Sequence, residues 1–473
     1  ASGDTTPNSS DHSDFGDADI ASGTVVRTFA IANPGSAPLT LSGTPLVALS
    51  GDHAADFSVS AMPATSVAAT STTTFQITFN PAALGLRTAT VTVVSDDIDE
   101  GVYTFAIQGS GTWRSALYPT DWTPATTDGA GRFLHDFGYA GYHGGMEPIP
   151  DAPPGPVVDA TQAPYQADPT GTTDSTDAIQ QALDAVGEAG GGVVLLPAGT
   201  YLISLPAGQS WALRIRHPRT VLRGAGTAQT FLECTSTTIR SANILLVRPD
   251  AGSVFTELAG TSHPLAADAD NRATSVTLDN VDGLAVGDRV VLRSDWTQDF
   301  IDEHGMNGIW TPSTSRTGPL FLRCITAIDG NAVTLDTPIR YPLKTRDNAR
   351  LYRCDPFLRE VGIEDLSIGN RQHPGTGWGD NDYSVAGTGA YEVHGSHLIH
   401  FYHVWDGWMR RVNTYRPASN TGDVHALSNI AKTSSSRFVT FTNCVVQRTQ
   451  YEGGGGNGYG LALQDANDCL MTA

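Results

Sequence analysis

Short apolar runs of strand length, punctuated by turn residues, recur through the C-terminal two-thirds of the chain and constrain its fold more than any other feature. They include Val193-Val194-Leu195-Leu196, Trp211–Ile215, Thr220–Leu222, Thr230–Leu232 and Asn243–Val247, then Val361–Ile368, His397–Val404, Phe438–Val446 and Gly460–Leu463. Runs this short bury their apolar side only against similar neighbours, which is the logic of a solenoid with coils of roughly 20 to 30 residues. With 50 Gly and 27 Pro in 473 residues, a helical bundle is excluded.

One helix stands out. Asp174 or Ser175 can cap it, and Ile179, Ala182, Leu183 and Val186 follow helical spacing. Gly190-Gly191-Gly192 ends it, Val193–Leu196 reads as a buried strand, and Pro197-Ala198-Gly199-Thr200-Tyr201 as a turn into the next. The string Thr176-Asp177-Ala178-Ile179-Gln180-Gln181-Ala182-Leu183, followed by Gly190 to Tyr201, resembles the pectate-lyase-3 superfamily. The resemblance implies a right-handed parallel β-helix over residues 171–473, with the helix capping its open end and the Gly-rich strand as its first coil.

Residues 1–112 read as a separate all-β domain. Val25–Ile31, Thr74–Phe79 and Thr88–Val94 alternate β-branched or aromatic residues with polar ones, and Asn33-Pro34-Gly35-Ser36 and Asn80-Pro81 supply turns. Regular short strands of this kind predict an immunoglobulin-like sandwich. Ala32–Leu41 and Ile77–Pro81, with Phe15-Gly16, resemble the choice-of-anchor D family, related to the ASPM/SPD-2/Hydin sandwiches. That resemblance implies a spacer or interaction module, with more protein expected before Ala1. Residues 113–170 form a connector rich in Pro, Gly and aromatics, expected to pack against a neighbour. From 263 to 346 the pattern turns antiparallel, with a hairpin signal at Asp329-Gly330-Asn331, and reads as a β subdomain inserted between coils. The chain stops within a strand-like run, Cys469-Leu470-Met471, so a further segment or another subunit is expected to cover the last coil.

Charge narrows the function. Forty-nine acidic against 28 basic residues give a net charge of −21, which repels phosphate backbones and anionic lipids and argues against nucleic-acid or membrane-surface partners. No run approaches the roughly 18 to 20 apolar residues of a membrane span. Lys344 and Lys432 are the only lysines. Among the 5 cysteines, Cys444 and Cys469 lie one expected coil apart, which would stack them either as a disulfide or as two buried thiols.

The candidate chemistry concentrates in 377–460. Hydrolysis of a glycosidic bond needs two carboxyl groups, and elimination at a uronic acid needs a base and a cation. Asp380 and Asp382 would share a strand face as an acid/base pair or as ligands for Ca²⁺, the one cofactor expected. His425 and Lys432 supply an imidazole and an amine suited to a base, and Glu452 a further acid. Trp378, Tyr451 and Tyr459 would stack on sugar rings, and Arg416 would hold substrate. His394, His397, His400 and His403 recur every third residue, but strand alternation sends such neighbours to opposite faces. The Asp-Asp, Gly-His-Gly and Arg-Ile-Lys strings of a polygalacturonase are missing. The expectation is a secreted or cell-surface β-helix protein that binds and cleaves an extracellular polysaccharide, as lyase or glycoside hydrolase. The alternatives are a non-catalytic adhesin or self-associating filament subunit, and a protein resembling a phage tailspike.

Overall fold

The computed structural model describes residues 2–113, 115, 117–119, 121–315 and 318–472. They fall into two compact units, Ala1–Leu134 and His135–Ala473. In the first, Asp14–Asp19, Val102–Thr112, Gly85–Val94 and Val47–Ser50 form a four-stranded sheet, and Val25–Asn33, Ser71–Phe79 and Phe57–Ala61 a three-stranded one. Alternating burial turns Phe75, Ile77 and Phe79 of one sheet and Ala89, Val91 and Val93 of the other into a shared core.

The second unit is a parallel β-solenoid with three faces. The first face stacks Val157–Asp159, Gly192–Leu196, Thr220–Gly224, the N-terminal halves of Leu358–Asn370 and Val404–Thr414, then Arg437–Thr442 and Leu470–Thr472. The two long strands run on through a corner into the second face, beside Thr170–Asp174, Gly199–Ile203 and Thr230–Cys234. The third face is a separate five-stranded sheet of Trp211–Ile215, Asn243–Val247, His397–Tyr402, Asn429–Ser434 and Leu461–Gln464. Vertical columns hold the stack together. Val194, Leu222, Ile363, Met409, Phe441 and Met471 are successive neighbours inside the first face, as are Leu213, Leu245, Ile399, Ala431 and Leu461 inside the third.

The corners are built from residues in the left-handed backbone region, stacked rung on rung. Asp365, Arg411 and Asn443 (φ 59°, 50° and 53°) turn the first face into the second. Glu360, Asp406, Phe438 and Asp468 (φ 56°, 63°, 58° and 50°) lie at the entry to the first face. A residue bent there leaves the strand direction, so its side chain points away from the core column.

Helix Thr176–Glu188 buries Ile179, Ala182, Leu183 and Val186 over the first coils, as the spacing predicts. The antiparallel insertion is a six-stranded sheet reaching from His263 to Arg353, with its own core of Leu278, Val290, Leu292, Val333 and Leu351. Gly330 makes its hairpin turn with φ 56°.

Three expectations need correction. The winding starts before the helix, because Val157–Asp159 pairs with Gly192–Leu196 and Thr170–Asp174 pairs with Gly199–Ile203. The stretch 113–170 is therefore no single connector; it is divided at Leu134, and its later part belongs to the solenoid. Cys444 and Cys469 are not stacked. The rung that pairs Thr440 with Leu470 places Cys469 against Val439, whose N–H lies 3.4 Å from its Sγ, and both cysteines are free thiols. Burial pushes the Cys469 thiol up to about 12. The spacing was misread because this coil advances by the longer step from 440 to 470.

Candidate functional site

Long turns between the second and third faces carry most of the residues singled out above. Residues 371–396, 415–428 and 443–460 stack there on successive coils, tied by side-chain hydrogen bonds. Gln450 exchanges bonds of 2.9 Å with the backbone of His373, and Asn420 Oδ1 accepts from Gln372 N at 2.7 Å. Asp380 and Asp382 do not share a strand. Asp382 opens the short 3-10 turn Asp382–Ser384, and its carboxylate accepts the Gly379 N–H at 2.7 Å, so it closes a Gly-rich turn. Asp380 is exposed, and neither aspartate belongs to a group of three or more converging metal-ligating side chains among the described residues.

Tyr451 is buried at 1% exposure, its hydroxyl donating to Asp380 O at 3.1 Å; it packs in the core and has no face for a sugar ring. Trp378 is half-buried beside it, ring centroids 6.2 Å apart, with its indole N–H on Gly375 O. Glu452 is exposed and accepts from Thr449 Oγ1 at 3.1 Å. His425 is buried against Thr414 Oγ1 at 3.2 Å, and desolvation lowers its pKa; Arg416 near it is exposed. These residues share one corner without assembling a facing pair of free carboxylates.

Lys432 lies elsewhere, on the third face, and Tyr459 at its edge, where the last of these turns leads into Leu461–Gln464. His400 is the rung neighbour of Lys432, and Asn429, beside which Tyr459 donates its N–H at 3.0 Å, is the rung neighbour of His397. The alternation argument fails here for a visible reason. At the start of each third-face strand two consecutive residues turn inward, Ala212/Leu213, Ile244/Leu245, Leu398/Ile399 and Ile430/Ala431. The residues on either side of each pair therefore face outward together, and the rings of His397 and His400 lie 5.3 Å apart. Two outer columns result, one of Trp211, Asn243, His397 and Asn429, the other of Arg214, Leu246, His400 and Lys432.

The electrostatics of this face follow from half-burial. His400 bonds Asn243 Oδ1 at 3.0 Å and Ser434 Oγ at 2.9 Å, and burial holds its pKa well below the ordinary value. Burial, reinforced by the Lys432 charge, brings His397 down to about 4. Both rings are thus neutral. Desolvation also lowers the Lys432 ammonium, against the opposing pull of Asp465, and its amine makes no hydrogen bond or ion pair among the described residues. Arg248 stacks its guanidinium over Tyr402 at 4.6 Å while its buried Nε has no acceptor among the described residues. A half-shielded amine, neutral imidazoles and an under-satisfied guanidinium on one sheet can take a proton and hold an anion. His403 does not join them; its Nε2 bonds Asp355 O at 2.9 Å and its ring stacks on Phe357. His394 bonds Asn457. Trp211, Asn243 and Arg248 were missed in the sequence because the step that aligns 211 with 243 and 397 with 429 is longer than the coil assumed.

A profile of the rhamnogalacturonase A/epimerase, pectate lyase-like family matches residues 163–260, the helix and first coils. No curated protein matches the chain. Among solved structures, the tailspike of Pseudomonas phage phi297 is 10% identical over 67% of this chain and 48% of its own, with a TM-score of 0.42. The tailspike of Acinetobacter baumannii bacteriophage AP22, solved with a capsular saccharide, is 13% identical over 66% and 46%, with a TM-score of 0.32. The A-module of an Azotobacter vinelandii mannuronan C-5 epimerase is 12% identical over 66% and 55%, with a TM-score of 0.24. This chain spans about half the length of each. Among the described residues no helix is long and apolar enough to cross a membrane.

Proposed function

We propose that the solenoid binds an extracellular, uronate-containing polysaccharide along its third face and cleaves it by β-elimination. The observation that carries the reading is the half-buried Lys432 amine, which makes no hydrogen bond or ion pair among the described residues, beside neutral His397 and His400. In this reading the Lys432 amine, in its deprotonated form, takes the proton α to the uronate carboxylate. The electron pair left on carbon forms the new double bond as the glycosidic C–O bond breaks, and the departing oxygen takes a proton from water. Arg248 holds the carboxylate, and Trp211 and Tyr459 flank the sugar chain. Elimination is favoured over hydrolysis because the two outer columns contain no carboxylate. Where a cation assists, Asp380 contributes to a Ca²⁺ site at the neighbouring corner; Asp382 is engaged by Gly379.

The test is incubation with uronate-containing and neutral polysaccharides, with Ca²⁺ or with chelator, following ultraviolet absorbance of unsaturated ends and release of reducing ends. Unsaturated product that disappears in Lys432→Met supports the proposal. Reducing ends without unsaturation would move the chemistry to carboxylates at the corner. Binding without product supports only an adhesin, and neither product nor binding overturns the reading altogether.

A further inference from the structure

The segment Tyr142–Gly145 lies along the outside of the first face. Tyr142 meets the edge of Trp408 at a centroid distance of 5.3 Å and donates its backbone N–H to Thr440 Oγ1 at 2.7 Å. This contact carries His143 to the corner where Glu360 and Asp406 stand on successive rungs, placed side by side because Arg359 pairs with Trp405 and Val361 with Gly407. His143 Nε2 lies 2.8 Å from Glu360 Oε1, and one ligand atom from each of His143, Glu360 and Asp406 lies within 4.8 Å of the others. Among the described residues no other group of three or more His, Cys, Asp or Glu side chains meets that condition.

We propose that these three residues form a site for one divalent transition metal ion of the Zn²⁺ class. Asp406 supplies a second, independent reason. It is 3% exposed, and among the described residues the only hydrogen bond its carboxylate accepts comes from Arg359 Nη2 to Oδ2 at 3.2 Å. Its other oxygen accepts no hydrogen bond among the described residues, which leaves it free to face an ion beside His143 and Glu360. The remaining oxygen of Glu360 takes the Tyr142 hydroxyl, and Glu147 approaches His143 Nδ1 at 3.6 Å, the kind of outer carboxylate that orients a metal-bound imidazole. A tetrahedral ion about 2.1 Å from each ligand sets them roughly 3.4 Å apart, so the His143–Glu360 pair would open from 2.8 Å while any wider separations close, an adjustment within reach of these part-exposed side chains. One imidazole with two carboxylates suits Zn²⁺, Co²⁺ or Mn²⁺ and leaves an open position. Ca²⁺ prefers six or more oxygens and is a poor match. Bound metal would fasten the Tyr142–Gly145 segment to two coils at once.

The experiment is titration of chelator-treated full-length chain with ZnCl₂, CoCl₂ and CaCl₂, read by calorimetry, by the visible absorption of bound Co²⁺ and by thermal melting. One equivalent of Zn²⁺ is expected, with Tm rising by about 5 °C at a hundredfold excess over Kd. Ca²⁺ should give no comparable shift. His143→Ala and Glu360→Gln, each with a metal-free melt like that of the parent, should lose the Co²⁺ band and the Tm shift. Absence of Zn²⁺ and Co²⁺ binding in the folded parent overturns the proposal. Binding that survives in both variants also overturns it, by placing the metal elsewhere.

Discussion

The first and third faces of the solenoid are stacked from parallel strands of the same coils, yet they treat charge differently. On the first face Glu364 is wholly buried and receives Arg223, Arg410 at 2.7 Å and the Trp408 indole at 2.9 Å. Arg437, also wholly buried, reaches Asp336 at 2.7 Å, Asp468 at 2.9 Å and Thr337 at 2.8 Å, where the inserted sheet meets the coils. On the third face, among the described residues, the Lys432 amine makes no hydrogen bond or ion pair, a buried nitrogen of Arg248 has no acceptor, and His397 is held neutral by burial. Covered charges whose hydrogen bonds are all met belong to the architecture. Half-buried charges whose bonds are unmet leave room for a group from outside.

The largest expected effect tests the first half of that contrast. Glu364→Ala strips the shared acceptor from two guanidiniums and an indole in a dry site, so it should cost about 3 to 5 kcal/mol. Denaturant unfolding of the full chain would show it as a lower midpoint of the transition assigned to His135–Ala473. A loss below about 1 kcal/mol, the scale of an exposed pair, would erase the distinction between the two faces.

A smaller effect belongs to His397. Its folded pKa of about 4 lies below the ordinary 6.5, so between those values the unfolded chain binds the proton and the folded chain resists it. Stability is complete above pH 6.5 and falls as the pH drops through this window, by on the order of 2 to 3 kcal/mol. His397→Gln should flatten that part of the pH–stability curve, measured by melting at matched ionic strength. An unchanged slope would mean that the ring is more hydrated than its position implies.

Local signals carried the architecture, and the site depended on something less local. The helix over Ile179 to Val186 and the strand Val193–Leu196 were legible because each is fixed by its own periodicity and glycine punctuation. Gly362 shows what is hidden. It appears as one more glycine, but a Cβ there would lie 2.2 Å from the Trp408 ring, a fact of rung register and not of neighbouring residues. Register also decides the outer columns of the third face. A coil assumed too short joined Cys444 to Cys469 and left Trp211 unconnected to Asn243. Asp380 and Asp382 were misread because spacing of two has meaning only on a strand, and Gly377 and Gly379 make that segment a turn. The His143, Glu360 and Asp406 cluster draws on a surface segment and two separate coils, 217 residues apart for His143 and Glu360, so no local pattern could announce it.

The smallest expected stability change completes the contrast and is the most informative for function. Lys432 is disfavoured as a cation by burial, so its folded pKa lies below that of the unfolded chain. The unfolded state therefore binds the proton more readily, and wild-type stability rises with pH as the folded lysine loses its charge. Lys432→Met keeps most of the side-chain volume and removes the charge that burial opposes. At neutral pH the variant should be within about 1 kcal/mol of the parent, on the stable side if either, and the upward slope at alkaline pH should vanish. If the proposed reading holds, the variant should lose cleavage of a uronate-containing polysaccharide while keeping binding, because the proposed aromatic and Arg248 contacts remain. If removing the amine instead destabilised the fold as strongly as Glu364→Ala, Lys432 would be a structural charge like those of the first face, and the assignment of a proton-accepting role to it would fail.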